Sequence, residues 1–351
     1  MSILITGGAG YIGSHVALEL LRRGYQITVI DNLCNSTGKN IETLLKKYPN
    51  LITFYKIDLT NYPELSQFFK SYATNIRSVI HLAAKKSIKE SVFDPLEYYH
   101  TNVISTINLL RTMEEHNCQK NLIFSSSATV YGFTDQVPIP EDAVIQPTNA
   151  YAHTKVMAEQ ILRDVSANRS GWKIISLRYF NPVGLDSSKI LIEETVKDQP
   201  ENLFPYITKV IKGDLPDLTI FGNDYPTPDG TPIRDYIHIT DIAQAHISAL
   251  NHLTHMSLSS LSSLSSLSSL SSLSYSSSSL YQVFNIGTGR GYSVFDIIKT
   301  FKELGYQIKY QFGPRRPGDV AISYARTTLA EEKLNWKSKK GLLEMCQDCI
   351  E

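Results

Sequence analysis

Apolar residues recur along the first half of the chain in two alternating periods. Residues 3–6, 26–30, 53–57, 78–82 and 122–125 are short runs rich in Ile, Val, Leu and Phe, the length and composition of strands. Helical spacing fills 14–23, ending before Gly24, and about 103–117. Such strand–helix alternation predicts an α/β fold with a Rossmann-type, doubly wound parallel sheet. The second half mixes Pro-rich loops with short elements and predicts a smaller C-terminal α/β domain laid against the first. We therefore expect a first domain over 1–180 and a second over 181–351. Residues 235–256 and 281–287 should return to the first, because 241–253 has helical spacing and 281–286 reads as a strand stopped by Gly287.

One segment fits neither period. Residues 257–280 read SLSSLSSLSSLSSLSSLSYSSSSL, with Leu at every third position from 258 to 273. A helix turns about 100° per residue, so a step of three drifts by about 60° and scatters the leucines around the axis. On a strand the same step alternates faces. The expectation is a low-complexity, disordered insertion looped out between a helix and a strand, where added length costs little. The competing reading is a leucine-mediated interaction segment.

Composition narrows the class. Hydrophobic residues make up 42% and charged residues 19%, enough to build a core. Lys plus Arg and Asp plus Glu are both 34, so bulk charge offers nothing to nucleic acid or to an anionic membrane. No apolar run approaches the ~20 residues of a membrane-spanning helix. The chain opens MSILITGG, which predicts no removable leader. Four cysteines are too few for a disulfide framework, and a reducing cytoplasmic setting is expected. Cys346 and Cys349 form a lone C-x-x-C that reads as part of a terminal helix, so no metal is expected.

The candidate chemistry starts at Gly7, Gly10 and Gly13, which follow the first strand and open the first helix. Glycine there permits a tight turn and lets backbone N–H groups approach a pyrophosphate. Asp31 ends the next strand, where a carboxylate would accept from a ribose and repel a 2′-phosphate, which favours NAD over NADP. Asp58 follows the third strand; it suits either an adenine contact or a helix N-cap. Farther on, Tyr151 and Lys155 stand four apart, on one face of a helix. A neighbouring ammonium and a nicotinamide cation would both lower the phenol pKa from about 10 towards useful basicity. Upstream, FSSSATVYG places three serines at a strand end, one of which could bond a substrate hydroxyl.

The segments TGGAGYIGSH, DNLCNS, ESVFDPLEYY, FSSSATVYG, YAHTK, RYFNPVG, IFGNDYPTPDGTPIRDYIH and PRRPGD together resemble the extended short-chain dehydrogenase/reductase family, and within it the UDP-glucose 4-epimerases (UDP-galactose 4-epimerases). The resemblance runs from residue 1 to about 349, apart from the Leu/Ser insertion. It implies that Tyr151 takes the proton of the sugar 4-hydroxyl while C4 gives a hydride to NAD. The resulting 4-keto sugar turns over and takes the hydride back on its other face. Lys155 keeps Tyr151 ionisable and contacts the cofactor ribose. Ser127 is the hydrogen-bonding serine, with Ser126 as the alternative.

The same resemblance implies further cofactor contacts. Tyr11 and Ile12 sit on the pyrophosphate turn. Asp31, Asn32, Leu33, Cys34, Asn35 and Ser36 follow the ribose and adenine, with Asp58 and Leu59 capping the adenine. Leu82, Ala83, Ala84, Lys85 and Lys86 line the nicotinamide side, with Lys86 near the phosphates. Thr101 and Phe180 complete the set, although Thr101 stands where relatives often carry Asn. For the UDP-hexose substrate the matching positions are Asn181, Asn202, Leu203, Thr219, Ile220, Phe221, Arg234, Arg316, Pro317, Gly318 and Asp319. Guanidinium forks suit diphosphate oxygens, yet the residues alone leave open whether Arg234 or Arg316 is instead in a surface ion pair. Ser323 occupies a place where some relatives carry Tyr, which would leave space for an N-acetyl group and admit UDP-GalNAc and UDP-GlcNAc. A homodimer is implied as well.

Three rival functions are weighed. A nucleotide-sugar 4,6-dehydratase would need an Asp-Glu pair where this chain has Ala128 and Thr129. A UDP-uronate 4-epimerase would need a group for the C5 carboxylate. A non-catalytic NAD-sensing protein would have no use for Ser127, Tyr151 and Lys155 together.

Overall fold

The protein was analysed as a computed structural model that describes residues 1–192, 202–264, 280–316 and 318–350, with 257–264 described by backbone alone. The first half runs β1 (Ser2–Thr6), α1 (Tyr11–Arg22), β2 (Ile27–Asp31), α2 (Lys39–Lys47), β3 (Ile52–Lys56), α3 (Tyr62–Tyr72), β4 (Ile76–His81), α4 (Ile88–Phe93), α5 (Pro95–Tyr99), α6 (Ser105–Glu115), β5 (Asn121–Ser127), α7 (Ala150–Asn168) and β6 (Lys173–Tyr179). It continues through β7 (Asn181–Val183), α8 (Leu203–Lys212), β8 (Leu218–Phe221), β9 (Ile233–Arg234), β10 (Tyr236–His238), α9 (Ile239–Leu264) and β11 (Tyr281–Ile286). The last elements are α10 (Val294–Glu303), β12 (Tyr310–Gly313), β13 (Ile322–Ser323), α11 (Thr328–Leu334) and α12 (Leu342–Ile350).

Seven strands form one parallel sheet in the order β11-β6-β5-β4-β1-β2-β3. Its central strands β1, β2, β4, β5 and β6 are buried on both faces, which explains their near-continuous apolar runs. Ile5, Val16, Leu20, Ile242 and Phe284 pack on one face; Leu4, Leu65, Phe69, Leu109 and Leu162 pack on the other. β1 lies between β4 and β2, so the chain reverses its direction of travel across the sheet there. A crevice opens at the carboxyl ends of these strands, where open α/β sheets bind ligands. A separate core around Phe204, Ile297, Phe301 and Met345 supports the short pairs β8–β12 and β9–β13. This is the α/β, Rossmann-type architecture with a smaller C-terminal part.

The Leu/Ser insertion is corrected in part. α9 does not stop at 256: it runs on to Leu264, so residues 257–264 are helical rather than looped. A helix already nucleated extends readily through Leu-containing sequence, because elongation avoids the nucleation cost. The remainder, 265–279, lies outside the described residues. Cys346 and Cys349 both lie on α12, the terminal helix expected for them. Among the described residues no group of His, Cys, Asp and Glu is arranged to hold a metal, and no helix is long and apolar enough to cross a membrane.

Candidate active site

The turn between β1 and α1 accepts only glycine at two points. Gly7 has φ +72°, and a Cβ on Gly13 would sit 2.2 Å from the Gly7 carbonyl oxygen. Gly10 caps α1 without any side-chain hydrogen bond, which leaves the helix N-terminus open to an anion. At the end of β2, Asp31 accepts from the amides of Ala9 (3.0 Å) and Leu33 (2.8 Å), so its carboxylate is fixed beside that turn. Asp58 accepts from the Thr60 amide (2.8 Å) and from the Asn32 side chain (2.8 Å). Burial pushes its pKa up, but the bonds from Thr60 and Asn32 outweigh burial and hold it below the usual carboxylate value.

These groups border a cavity of about 320 Å³. Every cofactor residue expected from the sequence lines it except Leu33. Leu33 takes a left-handed backbone, φ 60°, and packs its side chain against the core beside β2. An anion-ready helix end, a turn that a Cβ would fill and a fixed carboxylate at the end of the neighbouring strand form a set that suits a dinucleotide such as NAD.

The catalytic candidates converge at one end of this cavity. Asn149 caps α7 by accepting from the Ala152 amide at 2.9 Å, which places Tyr151 in the first turn and Lys155 one turn on. Lys155 Nζ donates to the Ser125 carbonyl at 2.8 Å and lies 5.8 Å from the Tyr151 ring centroid. Ser127 Oγ accepts from the Thr129 hydroxyl (2.9 Å) and amide (3.2 Å). Those two donors leave the Ser127 proton for another acceptor, and the serine acts on the Tyr151 phenol, working to lower its pKa. Ser126 is placed differently: it is buried and donates to Glu159 at 2.5 Å. The serine beside the phenol is Ser127, and the alternative Ser126 is set aside.

One expectation changes in sign. Burial raises the Tyr151 pKa above its ordinary value, with the Ser127 bond working against that rise. Lys155 is itself pushed down to about 7 by burial, opposed by Glu159. In the protein alone, desolvation outweighs the help the lysine was expected to give.

A second cavity of about 370 Å³ adjoins the first, and Ser127, Thr129, Phe180, Pro182 and Asn202 line both. Asn181, Asn202, Leu203, Thr219, Ile220, Phe221, Arg234, Arg316, Gly318, Asp319 and Ser323 all lie on its wall. Tyr151 lies on the wall of the first cavity, and Pro317 lies outside the described residues. Arg234 and Asp319 pair at 2.5 Å, and the Arg316 guanidinium sits 4.1 Å over the Phe221 ring. Ser323 is in register with Arg234 across β13 and β9.

Two residues at the site went unread. Thr129, which the sequence marks only by its lack of a carboxylate, orients Ser127. Asn102 accepts from the Lys85 amide (2.8 Å) and donates to the Lys85 carbonyl (3.0 Å) and to Thr154 (3.0 Å), tying the cavity edge to the catalytic helix. It sits in a wide turn over His100–Ile104. Its neighbour Thr101 lines the cavity and donates to Glu97, which pairs with Lys85 Nζ at 2.8 Å. The only sequence signal was an Asn one place beyond Thr101.

Residues 3–258 match the NAD dependent epimerase/dehydratase family. The chain is 44% identical over 351 residues to UDP-glucose 4-epimerase 2 of Arabidopsis thaliana, covering 99% of this chain and 93% of that one. It is 43% identical over 349 residues to UDP-glucose 4-epimerase of Bacillus subtilis (strain 168), covering 99% and 95%. A UDP-glucose 4-epimerase structure from Stenotrophomonas maltophila with bound NAD and formylated UDP-arabinopyranose superposes with a TM-score of 0.88 at 38% identity, covering 100% of this chain and 97% of that one. The corresponding enzyme of Bifidobacterium longum in complex with NAD+ and UDP gives 0.86 at 39%, with the same coverage. The chain belongs to the NAD dependent epimerase/dehydratase family, on its UDP-glucose 4-epimerase branch.

Proposed function

We propose that the protein interconverts UDP-galactose and UDP-glucose by inverting the sugar at C4 through a 4-keto intermediate. The observation that carries this is the meeting of Ser127, Tyr151 and Lys155 at the junction of a dinucleotide cavity and a second, arginine-bearing cavity. NAD held along Gly7, Gly10, Gly13 and Asp31 would supply a reversible hydride acceptor for C4 and would not be consumed. The rest falls to the chain. Tyr151 takes the 4-hydroxyl proton and later gives it back. Ser127, oriented by Thr129, donates to the phenol oxygen and favours its ionised form. Lys155, fixed by the Ser125 carbonyl, presents its charge below the ring. Arg234 and Arg316 meet the diphosphate, while Phe221, Asn181 and Asn202 shape the nucleotide and sugar ends of the cavity. With a cofactor domain over 1–180 and a substrate domain over 181–351, this chemistry would fall in the cleft between them. The test is turnover of UDP-galactose to UDP-glucose by the purified protein with no NAD added.

A second reading concerns the sugar 2-position. Ser323 is on the cavity wall, and a serine there leaves space that a larger ring would fill. It supports additional activity on UDP-GalNAc and UDP-GlcNAc. The same reading includes a homodimer: Val92, Phe93 and Leu96 on α4 and α5 are 66%, 79% and 78% exposed, a face of the kind protein contacts cover. Sedimentation at two concentrations measures that assembly. Four cysteines with no disulfide among the described residues suit a reducing, cytoplasmic setting.

A further inference from the structure

Glu159 lies one helical turn beyond Lys155, so Tyr151, Lys155 and Glu159 share a face of α7. It is buried, as is its partner Arg178 on β6. The Arg178 Nε and Nη2 donate to the two Glu159 oxygens at 2.9 and 2.6 Å, a bidentate pair. The remaining Nη1 donates to the Tyr131 hydroxyl and to the Glu141 carbonyl, both at 2.9 Å. Tyr131 in turn donates to Asn285 at 2.6 Å. Buried ion pairs of this kind add little net stability compared with apolar packing, which directs attention to what else the carboxylate does.

It does two things that reach the reaction centre. Glu159 takes the Ser126 hydroxyl at 2.5 Å, and alternation along β5 then turns the next serine, Ser127, towards the phenol. It is also the carboxylate acting on Lys155. Around the couple, β4 contributes His81, whose imidazole burial keeps neutral, and β5 contributes the Ser125 carbonyl and the Phe124 ring, 5.0 Å from Nζ. β6 contributes Arg178, bound to Glu159, and Tyr179, bonded to His246. Tyr131 is taken by Arg178, and Tyr281 of β11 bonds to Ser176. On the outer helices Glu90 accepts from Tyr98 and Glu97 pairs with Lys85, while His100 acts on Asp58; Lys89 is the remaining charge on α4.

We propose that Glu159 is a positioning residue for the reaction: through Ser126 it sets the end of β5 so that Ser127 meets Tyr151, and its charge holds Lys155 as an ammonium. This rests on the reading of Tyr151 as the base. Glu159 reaches neither cavity, so the proposal separates it from substrate-binding residues.

The test is the pH dependence of kcat for Glu159→Gln, run beside Tyr151→Phe. Removing the carboxylate lets desolvation act unopposed on Lys155, so activity is lost at lower pH on the alkaline side. The expected shift of that limb is about one pH unit, with kcat down roughly tenfold and KM within about twofold. Ser126→Ala should lower kcat a few-fold and leave the limb in place. If Glu159→Gln does not fold because Arg178 is left unpaired, Glu159→Gln/Arg178→Gln removes both charges and should show the same shifted limb. A folded glutamine variant, single or double, with the wild-type limb overturns the charge half of the proposal. Wild-type kcat in Ser126→Ala overturns the positional half. Failure of both glutamine variants to fold also overturns the charge half, since it assigns the carboxylate to folding alone. Full turnover by Tyr151→Phe would instead overturn the reading on which the proposal rests.

Discussion

Arg234 and Asp319 close an ion pair at 2.5 Å on the wall of the substrate cavity, joining β9 to the loop before β13. Arg234 also donates to the Ile233 carbonyl at 2.9 Å, so its guanidinium is preset before any ligand arrives. An anionic diphosphate would share that guanidinium with Asp319. Arg234→Ala is expected to weaken UDP binding by roughly 10–100-fold, the worth of one or two charge-assisted hydrogen bonds. Titration calorimetry with UDP measures it. Unchanged affinity would reduce Arg234 to an internal ion pair.

Gly13→Ala tests the dinucleotide turn. The added methyl would stand 2.2 Å from the Gly7 carbonyl and 2.6 Å from the Gly8 Cα, both backbone atoms that cannot swing aside. The variant should purify with little or no NAD, read by absorbance and cofactor release after denaturation. A destabilisation of about 1–3 kcal/mol from overpacking should accompany it.

Ser323→Tyr tests the sugar pocket. If the serine provides space at the 2-position, the tyrosine variant loses turnover of UDP-GalNAc by at least about tenfold and keeps UDP-galactose turnover within a few-fold. Side-by-side assays of the two substrates decide it. Wild-type enzyme inactive on UDP-GalNAc would remove the second reading altogether.

Stability should fall in mild acid. Burial holds His15, His238 and His246 down to about 4 and His81 to about 3, against 6.5 in an open chain. Below pH 6.5 the unfolded chain therefore binds protons that the fold refuses, and stability drops as pH falls towards 4. Asp235 opposes this: burial raises it to about 6, so between 3.8 and 6 the fold binds the extra proton. Burial raises Asp241 and Glu141 in the same sense, but the four histidines, each costing on the order of 2 kcal/mol by pH 4.5, outweigh these three carboxyls. Melting temperatures from pH 7.5 to 4.5 should decline steadily, most steeply below 6.

The legible parts of this molecule are those where local pattern and tertiary role coincide. The strand over 281–286 is found where its pattern put it, and Gly13 is dictated by contacts with Gly7 and Gly8 in its own turn. The two-residue strands β9 and β13 were not readable, because Ile233–Arg234 and Ile322–Ser323 are too short to show a period. The helical backbone over 257–264 is not legible, because apolar periodicity measures which face is buried, not how far a nucleated helix extends. At the site, Tyr151 and Lys155 announce themselves by spacing. Thr129, Asn102 and Glu159 do not, since each acts through a bond formed only in the folded chain. The resemblance already favours Ser127 over Ser126; the physical reason, that Glu159 takes the Ser126 hydroxyl, exists only in the folded chain.

The central claim is that the Tyr151 phenol is the proton acceptor for inversion at C4. The most direct measurement is the rate at which purified Tyr151→Phe, with its bound NAD content confirmed, converts UDP-galactose to UDP-glucose without added cofactor. The account predicts that NAD is retained and that turnover falls by about 10²–10⁴-fold, the range for losing a general acid–base group. Wild-type turnover by the phenylalanine variant would contradict it.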